Sequence, residues 1–209
     1  SILITFSVYC SLTIGESVDE HWYLSVGKIT LDYLFSLGKI DKDIAYIEYY
    51  STIYWSFLYL ITELFPSKYE TSVSHLVNLF FSFAAIFGIG KVTSVLFNKK
   101  VGIIVFIILF FYPTFFGHMS FNSKDTILTF CHVWIFYLVI KYLKNQNIKD
   151  KANNYIIYMG ILTALGSSIY FIFISTLIPI FVFVLIEIFF SKNFISNNCP
   201  GNLGRNSGA

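Results

Sequence analysis

The stretch VSHLVNLFFSFAAIFGIGKVTSVLF, residues 73–97, decides the fold class of this chain. It contains one lysine and no acidic residue, and it is longer than the roughly 20 apolar residues that a helix needs to cross a bilayer. Apolar residues make up 56% of the whole chain and charged residues 12%, whereas soluble domains contain about 25% charged residues. The sequence therefore predicts an all-α integral membrane protein.

Further apolar runs predict a polytopic helical bundle of about six spans. They are residues 1–14, 101–116 and 126–143, and the long stretch 155–190. The long stretch is interrupted by GSS at 166–168 and by Pro179. It forms either two short spans in a hairpin or one tilted span with a buried re-entrant piece.

The chain is expected to hold one membrane domain over residues 1–190, truncated at both ends. The first apolar run is shorter than a full span, so we expect its start to be missing. The tail, residues 191–209, is polar and rich in Gly and Asn. Such a composition predicts disorder.

Few polar or sulfur-containing side chains lie within the apolar runs. Cys10, Cys131 and Cys199 are scattered and fit neither a disulfide framework nor a metal-ligand spacing, so we interpret them as small hydrophobic residues. His75 and His132 are predicted to make polar contacts between helices.

A net charge of +2, without a basic patch between aromatics, argues against nucleic-acid binding.

The aromatic stretch 49–65 is barely long enough to cross a membrane, and the lysines decide its placement. Short cytoplasmic loops collect Lys and Arg. If 49–65 lies in the membrane interface, a set of later lysines falls on one side of the membrane: Lys99, Lys100, Lys141, Lys144, Lys149, Lys151 and Lys192. The other side receives residues 15–52, with seven acids (Glu16, Asp19, Glu20, Asp32, Asp41, Asp43 and Glu48) against three lysines (Lys28, Lys39 and Lys42). We therefore expect 15–72 and the loop 117–125 to share the extracytoplasmic face.

The first loop is predicted to carry an amphipathic surface helix over residues 22–37. Apolar residues recur there every three or four positions and polar residues take the other face. Trp and Tyr at its start favour a position along the membrane surface. The preceding SVDE matches a capping box, with Ser17 as N-cap and Glu20 three residues on. Asp19 and Glu20 could thus serve only the first helical turn, for about 0.3–1 kcal/mol.

Four stretches, in this order, resemble the membrane glycosyltransferases of the GT-C fold. They are ESVDEHWYLSVGKI (16–29), YYSTIYWSFLYLI (49–61), LFNKKVG (96–102) and YPTFFGHMSFNSKDTILTF (112–130). In particular, the chain is similar to the family 39 branch, which includes protein O-mannosyltransferases and the aminoarabinose transferases of lipid A. The resemblance covers residues 1–190, close to the N-terminal half of such an enzyme.

The resemblance implies transfer of a sugar from a polyprenyl phosphate to a lipid, glycan or protein acceptor at the extracytoplasmic face, with inversion. The acid of the family's first loop, a general base on the acceptor hydroxyl, matches Asp19, and Glu20 is the adjacent member of an acidic pair. The second acid, near the start of the fourth span, matches Asp125. A carboxylate is needed because a sugar hydroxyl is a poor nucleophile.

The leaving lipid phosphate is anionic and needs cations or hydrogen-bond donors where charge develops. His118, Asn122 and Lys124 are the nearest candidates for binding it, and the chemistry requires neither a metal nor another cofactor. Family members often carry Lys or Arg after small residues of the fifth span. This chain instead has LGSSIYF, with Ser167 and Ser168 there.

The residues of the 117–125 loop also have structural interpretations. Asp125 could N-cap the following helix, and Asn122 could form a turn. Lys124 could extend to lipid headgroups, and His118 could hydrogen-bond within the loop.

A transporter or a structural membrane subunit without activity is the alternative class. A transporter would need ionisable groups near mid-depth of the bilayer or inverted repeats, whereas here the polar residues gather at one face. A structural subunit would tolerate loss of Asp19. The Ile, Phe, Lys and Asn bias is typical of an AT-rich bacterial genome, so we expect a bacterial plasma (inner) membrane with a periplasmic first loop and membrane lipids as partners.

Overall fold

The computed structural model of the protein describes residues 2–39, 52–146 and 148–187. Every regular element in these residues is a helix, which confirms the predicted all-α class. Predictions that concern Asp41, Lys42, Asp43, Glu48, Lys192, Cys199 and the tail 191–209 lie outside the described residues, as does the expected domain boundary at 190.

The described residues form ten α-helices, with a 3-10 turn (Ser67–Tyr69) leading into the fourth. They are α1 (Ile2–Thr13), α2 (Val18–Phe35), α3 (Ile53–Thr62), α4 (Glu70–Leu96), α5 (Lys99–Phe110), α6 (Pro113–His118), α7 (Ser123–Asn145), α8 (Lys149–Ser167), α9 (Phe173–Thr176) and α10 (Ile178–Ile186).

Two of these helices are long and apolar enough to cross a membrane. They are α4 with its preceding turn and α7, which match the predicted spans 73–97 and 126–143. The pair α1 and α2 passes the same test together across an 83° bend, so the described residues contain up to three such spans. The count of about six spans stays a prediction.

The other apolar runs form shorter helices. The run 101–116 is broken because Tyr112 precedes Pro113 and has extended backbone, as residues before proline prefer. The stretch 155–190 is broken after Ser167, at the predicted GSS interruption. Helix α3 has ten residues and is about 15 Å long, too short for a hydrocarbon core of about 30 Å. This length agrees with the interfacial placement of 49–65.

Helix α4 lies at the centre of the fold and packs against α1, α3, α5 and α7. The indole N–H of Trp134 on α7 donates to the carbonyl of Ala84 over 3.1 Å. The main cluster of buried apolar residues joins α2, α3 and α7, and includes Leu24, Trp55 and Ile127. The first-loop helices are thus held against the two long helices.

Helix α2 begins at Val18, earlier than the predicted residue 22, and the predicted capping box at Ser17 is present. It ends at Phe35, before the predicted residue 37. The polar residues Lys28 and Asp32 are exposed as expected. The apolar residues Leu24 and Val26 pack into the core, whereas Leu34, near the end of the helix, is exposed. The surface position of α2 stays a prediction.

Candidate functional site

The two ends of α4 have different chemical surroundings. Its first half contacts Glu20 through His75. Near its other end, the ammonium of Lys144 approaches the carbonyl of Val95 at 3.5 Å, and Lys99 begins α5. Residues 75 and 95 are about 30 Å apart along the helix. Glu20 and the two lysines Lys99 and Lys144 therefore lie near opposite ends of α4, and the membrane sidedness inferred from the charge asymmetry stays a prediction.

A cavity of about 250 Å³ lies between α1, α4 and the segment after α6. Ile14, at the end of α1, and Gly117, beside His118, both line it. The hydroxyl of Ser82 on α4 donates to the carbonyl of Met119 over 2.8 Å and ties the segment to the same region. The end of α1 and the segment between α6 and α7 thus lie side by side. A larger cavity, about 460 Å³, lies between α4 and α5, and none of the predicted site residues lines either cavity.

His118, Asn122 and Asp125 form one cluster. The Asn122 amide donates to the Asp125 carboxylate over 2.9 Å and lies 3.5 Å from the His118 ring nitrogen Nδ1. Asn122 is also the N-cap of α7, since its side-chain oxygen accepts from the backbone N–H of Asp125. Asp125 is therefore not the N-cap, and its carboxylate is exposed beside an exposed imidazole.

Lys124 lies at the edge of this cluster and contacts a different element. Its ammonium lies 4.6 Å from the ring centre of Tyr170, a cation–π geometry. Tyr170 belongs to the break between α8 and α9, two residues after Ser168. The structure thus places a lysine of α7 next to the segment in which the resembled family often carries a cation.

Asp19 and Glu20 are neighbours with opposite environments. The Asp19 side chain is exposed, whereas Glu20 is 3% exposed. Glu20 Oε2 accepts from the backbone N–H of Ser17 over 2.7 Å, and Oε1 lies 2.7 Å from His75 Nε2. Within the described residues, no hydrogen bond joins Asp19 or Glu20 to His118, Asn122 or Asp125.

Three buried polar residues of α4 contact neighbouring segments, and two of them, Asn78 and Ser82, were not predicted to do so. His75, Asn78 and Ser82 recur at helical spacing on one face, all buried. The hydroxyl of Tyr54 donates to Asn78 Oδ1 over 2.7 Å, and burial raises the pKa of Tyr54, which stays a donor. Their spacing of three and four residues was the feature of the sequence from which a shared buried face could have been predicted. The interhelical contacts predicted for the two span histidines are confirmed. His75 contacts Glu20 of α2, and His132 Nε2 lies 2.6 Å from Thr176 Oγ1 of α9.

Among the described residues, no group of three or more His, Cys, Asp or Glu could hold a metal ion. The cluster, with Lys124 at its edge, offers an exposed carboxylate, an imidazole, an amide and an ammonium at the start of α7. These groups can move a proton and bind an anion without a metal.

An apolar helical bundle with such a cluster at one end defines an integral membrane protein with a polar surface site. The family model of dolichyl-phosphate-mannose-protein mannosyltransferase matches residues 52–198, more than half of the chain. The chain belongs to this family of membrane glycosyltransferases. Residues 112–130 of the predicted site fall inside the match, and the first loop with Asp19 precedes it. No curated protein and no solved structure matches the chain.

Proposed function

We propose that this protein transfers a sugar from a polyprenyl phosphate to a hydroxyl group of an acceptor at the extracytoplasmic face of a bacterial inner membrane, with inversion. The observation that carries the proposal is the cluster of His118, Asn122 and Asp125 at the start of α7, in a member of a mannosyltransferase family. The acceptor is a lipid, glycan or protein.

In this proposal Asp19 is the general base. Its exposed carboxylate takes the proton of the acceptor hydroxyl as the oxygen attacks the anomeric carbon. The new glycosidic bond forms on the face opposite the phosphate. The bond between the anomeric carbon and the phosphate oxygen breaks, and the polyprenyl phosphate leaves with the electron pair. Attack from the opposite face inverts the configuration.

The cluster of His118, Asn122 and Asp125, together with Lys124, is the donor side of the site. Lys124 and His118 can face the negative charge that develops on the leaving phosphate. Asp125 accepts from the Asn122 amide and holds this donor group in place. Since Lys124 contacts Tyr170 of the α8–α9 break, it can supply the cation that the break itself lacks.

The test is a transfer assay on the purified chain in liposomes. Polyprenyl phosphates labelled in mannose, glucose or aminoarabinose are offered with a Ser/Thr-rich peptide, a glycan or a lipid extract. We expect label transfer, and a loss of about 10²- to 10⁴-fold in Asp19→Asn, the range of general-base catalysis. Asp32→Asn is the matched control, because Asp32 is an exposed acid on the same helix.

A transporter or a structural subunit predicts a different result. Neither would transfer label from any of the donors, and a structural subunit would tolerate Asp19→Asn in a stability assay. Equal activity in Asp19→Asn and the wild type would remove Asp19 from the catalytic role even if transfer occurs.

A further inference from the structure

The buried carboxylate of Glu20 is already occupied on both oxygens. One accepts from the backbone N–H of Ser17 and the other meets His75 Nε2, each over 2.7 Å. Its side chain is 3% exposed, whereas Asp19 beside it is exposed. A substrate cannot reach Glu20 in this arrangement, so its contribution to a reaction must pass through the residues that it holds.

His75 joins three helices. Its Nδ1 lies 2.9 Å from the carbonyl oxygen of Ser11, in the last turn of α1, where helical carbonyls lack intrahelical partners. Because a carbonyl oxygen only accepts, Nδ1 carries a proton. A further proton lies between Nε2 and Glu20 Oε1, and whichever atom holds it, the pair has no net charge. An uncharged pair is far less costly to bury than a single charge, and His75 is 1% exposed here.

The contacts of His75 lie on both sides of the bend in the first loop. Ser11 precedes the bend and Glu20 follows it, and the axes of α1 and α2 differ by 83°. A single imidazole on α4 therefore holds both arms of the bend. Consecutive helical side chains project about 100° apart, so pinning Glu20 against α4 directs Asp19 away from α4.

We propose that Ser11, Glu20 and His75 form a clamp that positions Asp19, and that Glu20 and His75 are positioning residues. The inference rests on the proposed function and deepens it. A displacement of about 1 Å in a reacting group can cost about 100-fold in rate. The clamp fixes the first turn of α2 to the two helices on either side of the bend and so limits this displacement.

Two substitutions separate the two contacts of His75. In His75→Asn the amide falls near Nδ1, so it can still donate to the Ser11 carbonyl but loses Glu20. In His75→Gln the amide falls near Nε2, so it can still donate to Glu20 but loses Ser11. His132→Asn is the matched control, because His132 also joins two helices, through Thr176 of α9, and has no part in the clamp.

The first readout is the kinetics of sugar transfer from polyprenyl-phosphate mannose, or from whichever of the three donors the wild type uses. We expect His75→Asn to lower kcat by about 10- to 100-fold with KM for the donor within about twofold. His75→Gln keeps the Glu20 contact and loses only Ser11, so it should lose less kcat than His75→Asn, and His132→Asn should leave kcat unchanged. Glu20→Gln should lose far less than Asp19→Asn, because a positioning residue does not need a negative charge. Loss of kcat in Glu20→Gln equal to that in Asp19→Asn would overturn the positioning role.

The second readout does not depend on activity. Hydrogen–deuterium exchange of the amides in residues 17–24 should rise in His75→Asn and Glu20→Ala. It should rise less in His75→Gln, which loses only the Ser11 contact, and remain at the wild-type level in His132→Asn. The double variant Glu20→Ala/His75→Asn should exchange no faster than the single variants, since paired residues are not additive. Unchanged exchange in His75→Asn would overturn the clamp while leaving the proposed function intact. Absence of transfer in the wild type would overturn the function, and the exchange would still decide the clamp.

Discussion

The side-chain amide of Asn122 donates to the carboxylate of Asp125 over 2.9 Å, and its oxygen accepts from the backbone N–H of the same residue over 3.1 Å. One side chain therefore begins α7 and orients an acid of the candidate site. The structural interpretation of this loop, helix capping, depends on the oxygen of the Asn122 amide. The functional interpretation depends on its nitrogen, which donates to Asp125.

Two substitutions at Asn122 should separate these effects. Asn122→Ser keeps an oxygen that can cap α7 but removes the amide donor, so we expect near wild-type stability and reduced sugar transfer. Asn122→Ala removes both and should also lower the free energy of unfolding by about 1 kcal/mol. Thermal unfolding in detergent and the transfer assay measure the two quantities. Equal stability of the Ala and Ser variants would show that the cap is unimportant.

A buried hydrogen bond between α3 and α4 should matter for stability. Tyr54→Phe removes the hydroxyl that donates to Asn78 over 2.7 Å and leaves the fully buried Asn78 oxygen without that donor. We expect a loss of about 1–3 kcal/mol, measured by thermal unfolding in detergent. Tyr158→Phe is the control, because Tyr158 is 56% exposed, and it should leave the midpoint unchanged. An equal effect of the two substitutions would argue against a specific role for the Tyr54 hydroxyl.

The close approach of α2 and α3 depends on Gly27. A methyl group at this position would overlap the carbonyl oxygen of Trp55, and the ring of Tyr23 stacks on Trp55 at 4.5 Å. Gly27→Ala should destabilise the protein by about 1–3 kcal/mol, as overpacking does. Gly160→Ala, in an open part of α8, should instead be neutral or stabilising by up to about 1 kcal/mol. Unfolding midpoints of the two variants compare them, and the same shift in both would contradict the packing argument.

Local sequence patterns were sufficient for part of the fold. The apolar runs predicted α4 and α7, because a bilayer requires length and hydropathy that no other pattern supplies. The Ser-x-x-Glu spacing predicted the capping box at Ser17, because both partners lie within one turn. The break at Pro113 falls inside the predicted span 101–116. Hydropathy did not predict this break, because it takes no account of the backbone restriction on the residue before a proline.

Contacts between distant segments were not predictable in the same way. Glu20 and His75 lie 55 residues apart in the sequence, and neither residue alone indicates its partner. The pattern predicted a catalytic or capping acid at Glu20, and the structure shows the capping contact together with a second bond to α4. The roles of Asp19, Glu20, Asp125, His118, Asn122 and Lys124 in catalysis and binding stay predictions.

The membrane sidedness of the two ends of α4 is open to a direct test. His21 is exposed beside the candidate base, and Lys100 is exposed beyond the other end of α4. In a background without Cys10, Cys131 and Cys199, single cysteines replace His21 or Lys100 and are treated with a membrane-impermeant thiol reagent. We expect His21→Cys to react in intact cells whose outer membrane is permeable, and Lys100→Cys to react only after the inner membrane is opened.

Other labelling patterns have distinct meanings. Reaction of both cysteines in intact cells would place both ends of α4 on one side, and α4 would then not span. Reaction of Lys100→Cys alone would invert the protein, contradict the lysine rule and place Asp19 on the cytoplasmic side. His118→Cys is the internal control, because His118 adjoins the cavity that the end of α1 also lines. It must label with His21→Cys if the two acidic segments form one site.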